Sequence, residues 1–198
     1  MKIALISPYD FAYPGGVANH ITNLYRHLTV IGHDVRVIAP ASGSITAFGD
    51  NFIPIGRPRP FPANGSITRI TVSPLVSRNV KKVLEAESFD VVHLHEPLMP
   101  MLCTSALRIS KTVTVGTFHA CGRFPGYYPA TPLGTALLRK WVGKLDARIA
   151  VSGAAMKMAN RHFEGNYEII PNGVDTHHFN PDVAPIERFC DGKKNILF

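Results

Sequence analysis

Cysteine is scarce in this sequence, and the cysteines that are present form no recognisable pair. The chain of 198 residues holds three of them, Cys103, Cys121 and Cys190, which are far apart and show no Cys-x-x-Cys spacing. Disulfide scaffolds and structural zinc sites both need cysteines that are paired or closely spaced. The sequence therefore predicts a reducing compartment, no disulfide framework and no cysteine-based zinc site.

Long apolar runs are missing as well. No segment approaches the about 20 apolar residues that a membrane-spanning helix needs. The short apolar run after Met1 lacks the cleavage site of a secretory signal peptide, so none is expected. Hydrophobic residues make up 45% of the chain and charged residues 18%, which is typical of a globular domain. The length suits one α/β core.

Acidic residues are outnumbered by basic ones. There are 21 lysines and arginines and 14 aspartates and glutamates, which gives a formal net charge of +7. This balance favours an anionic partner, whether a phosphorylated ligand, a nucleic acid or an acidic membrane, and a soluble protein that is merely basic is an equal alternative. Because the basic residues are not interleaved with aromatic ones, we expect no nucleic-acid partner.

What the sequence does contain is an alternation of short β-branched runs with helical patterns. Strands are predicted for KIALIS, HDVRVIAP, NFIPIG, SITRITVS, DVVHLHE, TVTVGTFHA, DARIAVS and YEIIPNG, with the turn-rich RPRPFPANG between the third and the fourth. Helices are predicted for residues 17–31, 74–87, 97–110, 131–145 and 154–163. This alternation predicts an α/β fold, a Rossmann-like doubly wound parallel sheet whose ligands bind beyond the carboxyl ends of the strands.

The end of the chain changes character. Residues 180–191 have a loop-like composition, and KKNILF then begins another apolar strand. We expect residues 1–179 to form one domain, and residues 180–198 to be a linker and the first strand of a second domain that is missing. The alternative is that the last strand completes the edge of the first domain's own sheet.

A double glycine follows the first strand, in FAYPGGVANH. Gly15 and Gly16 allow positive φ angles and close approach of a ligand to the backbone. The helix that follows offers unpaired N–H groups and the positive end of its dipole, which suits a phosphate. The segment is not the G-x-G-x-x-G dinucleotide fingerprint. A tight strand-to-helix turn without a ligand is the alternative explanation.

Histidines end two of the predicted strands. His119 lies at the carboxyl end of TVTVGTFHA, where an imidazole can donate to a reacting oxygen or a sugar hydroxyl. His93 and His95 share one face of their strand and are followed by Glu96. No third ligand with useful spacing is evident, so the sequence predicts no metal site, and Glu96 is expected to bind a ligand or cap the next helix.

One predicted helix is amphipathic and basic. Its apolar stripe consists of Val76, Val80, Val83 and Leu84, and its opposite face carries Arg78, Lys81 and Lys82. Most helices of this kind are surface helices packed on their sheet. The functional alternative is a basic patch that faces anionic lipid headgroups, and Arg57, Arg59 and Arg69 add charge nearby in sequence.

Four short motifs taken together resemble a known family. PGGV after the first strand, HLHEP, TFHA and IPNGVD occur in the order and at the spacing of the retaining family-4 glycosyltransferases of the GT-B fold. The segments PFPANGSITRI and VKKVLEAESFDVVHLHEP bring the chain nearest to bacterial phosphatidylinositol mannosyltransferases. The resemblance covers essentially the whole chain. It implies the N-terminal, acceptor-side half of a two-domain enzyme, inactive without the second domain.

The resemblance also implies roles for individual residues. Gly15 and Gly16 would bind the diphosphate of the donor, and His119 would contact the transferred sugar as a catalytic residue. Tyr9 and Asn64 would bind the acceptor. Arg78, Lys81 and Lys82 would dock the helix on a membrane. No metal or other cofactor is implied, since the nucleotide sugar is a substrate. Ala18 and the segment ACGRF depart from the expected acceptor contacts.

The implied reaction is transfer of a sugar, most simply mannose from GDP-mannose, to a phosphatidylinositol-type lipid with retention of configuration. The enzyme would be cytoplasmic and peripheral, on the cytoplasmic face of the membrane. One alternative within the family is another nucleotide sugar with a diacylglycerol or soluble inositol-type acceptor. A second alternative is a nucleotide-binding module without enzymatic activity.

Overall fold

A computed structural model describes residues 1–63, 66–119, 132–184 and 186–194. Seven parallel strands form its central sheet in the order β3-β2-β1-β6-β7-β8-β9, and β4 and β5 form a separate antiparallel pair. The predicted Rossmann-like parallel sheet is confirmed. The strands are β1 (Lys2–Ile6), β2 (Asp34–Ala39), β3 (Phe52–Pro54), β4 (Arg59–Ala63), β5 (Ser66–Ile70), β6 (Val91–His95), β7 (Val113–Phe118), β8 (Ala147–Ala150) and β9 (Glu168–Ile169).

Helices cover both faces of the sheet because β1, at its centre, is apolar on both sides. Successive side chains of a strand point to opposite faces. Ile3 and Leu5 belong to a cluster that includes Ile21 of the first helix, whereas Ala4 and Ile6 pack in the larger cluster. The helices are α1 (Gly16–Val30), α2 (Val76–Glu87), α3 (Leu102–Ile109), α4 (Pro132–Val142) and α5 (Gly153–His162).

The sequence prediction failed at the turn-rich segment RPRPFPANG. Part of it forms β4, which pairs antiparallel with β5, so that Pro60 faces Arg69 and Pro62 faces Ile67. Proline removes a backbone donor and is therefore confined to strand positions that need none, such as those of an edge. A two-stranded hairpin consists only of edges, and for this reason it tolerates prolines that would break a central strand.

The third helix is shorter than predicted. It begins at Leu102 instead of residue 97. Pro97 and Pro100 lie in the segment before it, and both Glu96 and Met101 adopt positive φ angles, of 55° and 68°. Because proline disfavours helical conformation in the residue that precedes it, the chain leaves β6 through an irregular loop.

The β4–β5 hairpin is joined to the loop that follows β1. Tyr9 forms an isolated antiparallel bridge with Ile70, and the N–H of Asp10 donates to the carbonyl of Arg69 at 2.9 Å. These contacts fix the hairpin beside the carboxyl end of the sheet.

After β9 the described chain contains little regular structure. A single short 3-10 turn, Glu187–Phe189, lies in the segment predicted to be a linker and a new strand. Of the strand predicted for residues 194–198, all but Lys194 lie outside the described residues. No helix among the described residues is long and apolar enough to cross a membrane.

Candidate functional site

The order of the strands places a crevice at the centre of the sheet. From β1 the chain builds outward to β2 and β3 on one side, whereas β6 to β9 lie on the other. Such a switch point is where doubly wound sheets bind ligands. A cleft of about 710 Å³ lies there, which we call the central cleft. It is lined by Tyr9, Asp10, Tyr13, Pro14, Gly15, Gly16, Val17, Ala18, Ile67, Thr68, Arg69, Glu96 and His119.

The glycine loop forms one wall of the central cleft. Gly15 precedes α1 in an extended conformation, with φ −171° and ψ 153°, and no side chain caps the helix. Neither Gly15 nor Gly16 has a positive φ, so the left-handed region that glycine allows is not used here. A Cβ atom added to either glycine would meet nothing within 4 Å. The glycines therefore keep space open in front of a helix N-terminus that has no acidic residue in its first turn.

His119 lies directly after β7 and lines the central cleft. Two contacts from the end of β6 hold it. Its backbone N–H donates to Oε1 of Glu96 at 2.8 Å, and its Nε2 lies 3.0 Å from Nδ1 of His95, with the ring proton on one of the two nitrogens. The carboxyl ends of neighbouring parallel strands thus fix both the backbone and the ring of His119.

Two more imidazoles complete a histidine cluster, which consists of His20, His93, His95 and His119. The ring of His20, on α1, lies 5.4 Å from that of His95 and 5.1 Å from that of His119 between centroids. His93 stacks on His95 at 4.4 Å and its Nε2 is 2.7 Å from Oγ1 of Thr117. Sequence reasoning did not single out His20. His20 lies four residues after Gly16, so the two share one face of α1. This spacing could have indicated that His20 faces the same site as the glycine loop.

The histidine cluster is uncharged at neutral pH. Burial, aided by repulsion from His20, lowers the pKa of His93 from 6.5 to about 4. Burial and repulsion from His20 and His93 lower the pKa of His119 to about 3. Burial also lowers the pKa of His20 and, together with the neighbouring imidazoles, that of His95. Desolvation disfavours the charged form of a base, so these imidazoles act as neutral hydrogen-bonding groups.

Glu96 is a buried carboxyl group at the cleft. Its residue is only 1% exposed, its φ is 55°, and it lines the central cleft. The sequence predicted that it binds a ligand or caps the next helix. The structure shows that it accepts from the backbone of His119, and its role toward a ligand stays a prediction.

Tyr9 and Arg69 lie at the cleft on the side of the hairpin. Burial, aided by the negative charge of Glu96, raises the pKa of Tyr9, which packs partly against the core. The guanidinium of Arg69 lies 3.6 Å from the centroid of the Tyr13 ring. Asn64, the second predicted acceptor residue, lies outside the described residues.

The amphipathic helix is α2, and its two faces are as predicted. Val76 and Val80 are 1% and 2% exposed, whereas Arg78, Lys81 and Lys82 are exposed. One of the three cations has a partner along the helix, because Nζ of Lys81 lies 3.7 Å from a carboxylate oxygen of Glu85. The three cations are not among the residues that line the central cleft.

The structure supplies the ligands that the sequence seemed to lack. The expectation of no metal site depended on finding no third ligand near His93 and His95 in sequence. One nitrogen from each of His20, His95 and His119 lies within 4.8 Å of those of the other two. The three come from α1, β6 and the end of β7, so that only folding brings them together.

Comparison with known proteins agrees with this geometry. The model of Glycosyltransferase Family 4 matches residues 14–178. The chain belongs to glycosyltransferase family 4. The resemblance inferred from PGGV, HLHEP, TFHA and IPNGVD is therefore confirmed.

Named relatives cover the whole of the family 4 chain. It is 38% identical over 209 residues to the phosphatidyl-myo-inositol mannosyltransferase of Propionibacterium freudenreichii subsp. shermanii, with 100% of this chain and 52% of that protein covered. It is 37% identical to the protein of the same name from Mycobacterium tuberculosis strain H37Rv, with 100% and 51% covered. The chain thus spans about half the length of these curated relatives.

Solved structures support the fold. Sucrose-phosphate synthase from Thermosynechococcus elongatus superposes with a TM-score of 0.60 at 16% identity, over 91% of this chain and 50% of that one. Anabaena HepE in complex with UDP-glucose gives a TM-score of 0.60 at 16% identity, over 91% of this chain and 47% of that one. At this identity the likeness concerns architecture alone.

Proposed function

We propose that this family 4 chain is the N-terminal, acceptor-side half of a retaining glycosyltransferase that moves mannose from GDP-mannose to a phosphatidylinositol-type lipid. The observation that carries the proposal is the central cleft, where the open N-terminus of α1 faces the same space as the neutral imidazole of His119. The relatives that are 36–38% identical and named phosphatidyl-myo-inositol mannosyltransferase supply the donor sugar and the acceptor class.

The leaving diphosphate would lie against Gly15 and Gly16. In glycosyl transfer the bond from the anomeric carbon to the diphosphate oxygen breaks, and negative charge develops on that oxygen. Backbone N–H groups and the dipole of α1 stabilise this charge, which lowers the barrier directly. A side chain at either glycine would occupy the space that the diphosphate needs, since a Cβ there projects into open volume.

His119 would contact the transferred sugar. Since burial lowers its pKa to about 3, the imidazole is neutral at physiological pH and adds no positive charge next to an oxocarbenium-like sugar. A neutral ring can hydrogen-bond a sugar hydroxyl and orient the ring for transfer. Glu96 and His95 hold this imidazole in place through the contacts at 2.8 Å and 3.0 Å.

The acceptor would enter from the side of the hairpin, where Tyr9 lines the cleft, and Asn64 belongs to the same proposal. Arg69 offers a positive charge for a phosphate-bearing headgroup, since it also lines the cleft.

The exposed face of α2 would hold the enzyme on an anionic membrane at the cytoplasmic surface. Each basic residue near such a surface contributes about 1 kcal/mol to the free energy of membrane binding. The residues in question are Arg78, Lys81 and Lys82. Two apolar side chains just before the helix, Val72 and Leu75, are 43% and 70% exposed and offer hydrophobic contact beside these charges.

The nucleotide would be bound mainly by a second domain. We propose that residues 180–198 are the linker and first strand leading to it, in keeping with a chain that spans about half of its relatives. The 198-residue chain alone is then expected to bind donor weakly and to show no turnover.

The test is nucleotide release by the full-length parent protein. GDP release from GDP-mannose should depend on phosphatidylinositol liposomes, and His119→Ala should lower turnover by at least about a hundredfold. The matched control is His27→Ala, an exposed histidine on α1. Release only with UDP-sugars, or only with soluble inositol phosphate, would replace the proposed donor or acceptor by the family alternatives. Near-normal turnover of His119→Ala would remove this residue from the site.

A further inference from the structure

Three imidazoles from separate elements meet beside the central cleft, which His119 lines. One nitrogen each from His20, His95 and His119 lies within 4.8 Å of the others, and His95 Nδ1 and His119 Nε2 are only 3.0 Å apart. A tetrahedral zinc ion with Zn–N bonds of about 2.0–2.1 Å holds its nitrogens about 3.3 Å from one another. Two of the three nitrogens therefore already lie near ligand spacing.

We propose that His20, His95 and His119 form a binding site for a divalent transition-metal ion, and that Zn²⁺ is the ion that suits them. Imidazole is a preferred ligand of zinc, whereas Mg²⁺ and Ca²⁺ prefer oxygen. Three protein nitrogens leave the fourth position to water. Each imidazole offers one ring nitrogen to the ion, and the proton shared by His95 Nδ1 and His119 Nε2 has to leave that position.

The site needs one adjustment, and it falls on the residue that can make it. The three nitrogens lie within 4.8 Å of one another, so reaching ligand spacing needs a shift of at most about 1.5 Å, which the His20 ring can make. His20 is only partly buried, whereas His95 is fully buried and His119 is held by Glu96. The site thus consists of a closely spaced pair of nitrogens and a third ligand on a less buried side chain.

A metal ion would change the hydrogen bonding between His95 and His119. One proton serves the contact between His95 Nδ1 and His119 Nε2. The other nitrogen of His95, Nε2, is buried and has no hydrogen-bond partner among the described residues. A metal ion between the two facing nitrogens replaces this hydrogen bond with two metal–nitrogen bonds, and the ring proton moves to the outer nitrogen of the ring that carried it.

Zinc at this position would inhibit the enzyme. The ion would bind the imidazole of His119, the ring proposed to contact the sugar, and would add positive charge at the cleft. This consequence rests on the proposed function, whereas the metal site itself does not. We expect Zn²⁺ to inhibit the full-length parent reversibly, with activity restored by a chelator.

The binding test uses the 198-residue chain. Calorimetric titration with ZnCl₂ should show one equivalent bound, and Co²⁺ should give the intense visible absorption of a four-coordinate ion. His20→Phe keeps an aromatic ring against His95 and His119 but removes the ligand. It should lower Zn²⁺ affinity by at least about tenfold and abolish the Co²⁺ band. His27→Phe, an exposed histidine on the same helix, should change neither.

Two further measurements decide the location of the ion. The adjacent histidines of the exposed tail are the competing site, and His177→Ala combined with His178→Ala should leave binding unchanged. In the unaltered chain, Zn²⁺ but not Mg²⁺ should slow modification of His20 and His119 by diethyl pyrocarbonate. The proposal is overturned if no zinc binds, if binding survives His20→Phe, or if it disappears with the tail histidines. If zinc binds but transferase activity is never found, the proposed function fails and the site stands.

Discussion

Acidification should destabilise the fold through the histidine cluster, and His93 offers the cleanest measure of it. Burial lowers the pKa of His93 from 6.5 in the unfolded chain to about 4 in the folded one. Above pH 6.5 the residue is neutral in both states and contributes nothing to the pH dependence. As the pH falls below 6.5, the unfolded chain binds the proton first, so the folded state loses stability until about pH 4.

The size of the effect follows from the shift. Each proton that the unfolded state binds in excess changes the free energy of unfolding by about 1.4 kcal/mol per pH unit. A shift from 6.5 to about 4 corresponds to about 3 kcal/mol in total. Since the His93 residue is only partly buried, we discount this for solvent screening to about 2 kcal/mol.

The perturbation is His93→Gln. Glutamine does not titrate, and its amide can retain the hydrogen bond to Oγ1 of Thr117 that His93 makes at 2.7 Å. Any loss of packing shifts the free energy of unfolding by the same amount at every pH. The slope against pH therefore isolates the titration of His93 from its structural role.

The assay is urea denaturation of the chain at several values between pH 7 and pH 5, with EDTA present to exclude metal ions. The free energy of unfolding of the unaltered chain should fall by about 1.2 kcal/mol more than that of His93→Gln over this range, which covers only part of the titration. His27→Gln, an exposed histidine, should follow the unaltered chain. Parallel curves for the unaltered chain and His93→Gln would refute the argument that burial holds this imidazole neutral.

Three further predictions concern single contacts. Gly56 has a φ of +87°, and an added Cβ would lie 2.5 Å from Oγ1 of Thr71. Gly56→Ala should therefore lower the free energy of unfolding, measured by heat or urea, by about 1–3 kcal/mol. Gly173→Ala is the control and should lower it far less, because an added Cβ there meets nothing within 4 Å. Ser152 caps α5 by accepting from a backbone N–H at 3.1 Å, so Ser152→Ala should lower stability by about 1 kcal/mol and Ser152→Asp should retain it. In the full-length parent, Glu96→Ala should lower kcat at least about tenfold with KM for the donor little changed, and Glu96→Gln, which keeps an acceptor oxygen, should recover part of the rate.

The elements of the fold were predictable because their patterns are local. The apolar run of β1 and the helical spacing of Ile21, Leu24 and Leu28 on α1 depend on a few neighbouring residues. The exception was β4. Its prolines argue against a strand in general, and only the pairing with β5 explains why they are tolerated there.

The candidate site was predictable in its residue types but not in its assembly. The sequence shows that His95 and His119 end their strands, and the parallel register of β6 and β7, in which His95 faces Thr117, brings them together. His20 is different, because its approach depends on how α1 packs across the sheet. No local pattern distinguishes a helix histidine that faces the site from one that faces solvent, as His27 on the same helix does.

One physical cause connects the chemistry proposed for this cleft with its expected weaknesses. Several imidazoles at the carboxyl ends of adjacent strands are desolvated, and their protonated forms would repel one another. Both effects lower the pKa of His119 and keep it neutral beside a sugar that becomes positively charged. The same packing leaves two ring nitrogens that share one proton at 3.0 Å, a spacing close to that of zinc ligands. It also means that the folded state cannot take up protons that the unfolded chain binds below pH 6.5. Acid sensitivity and zinc affinity are thus expected to rise and fall together across variants that change the burial of the cluster.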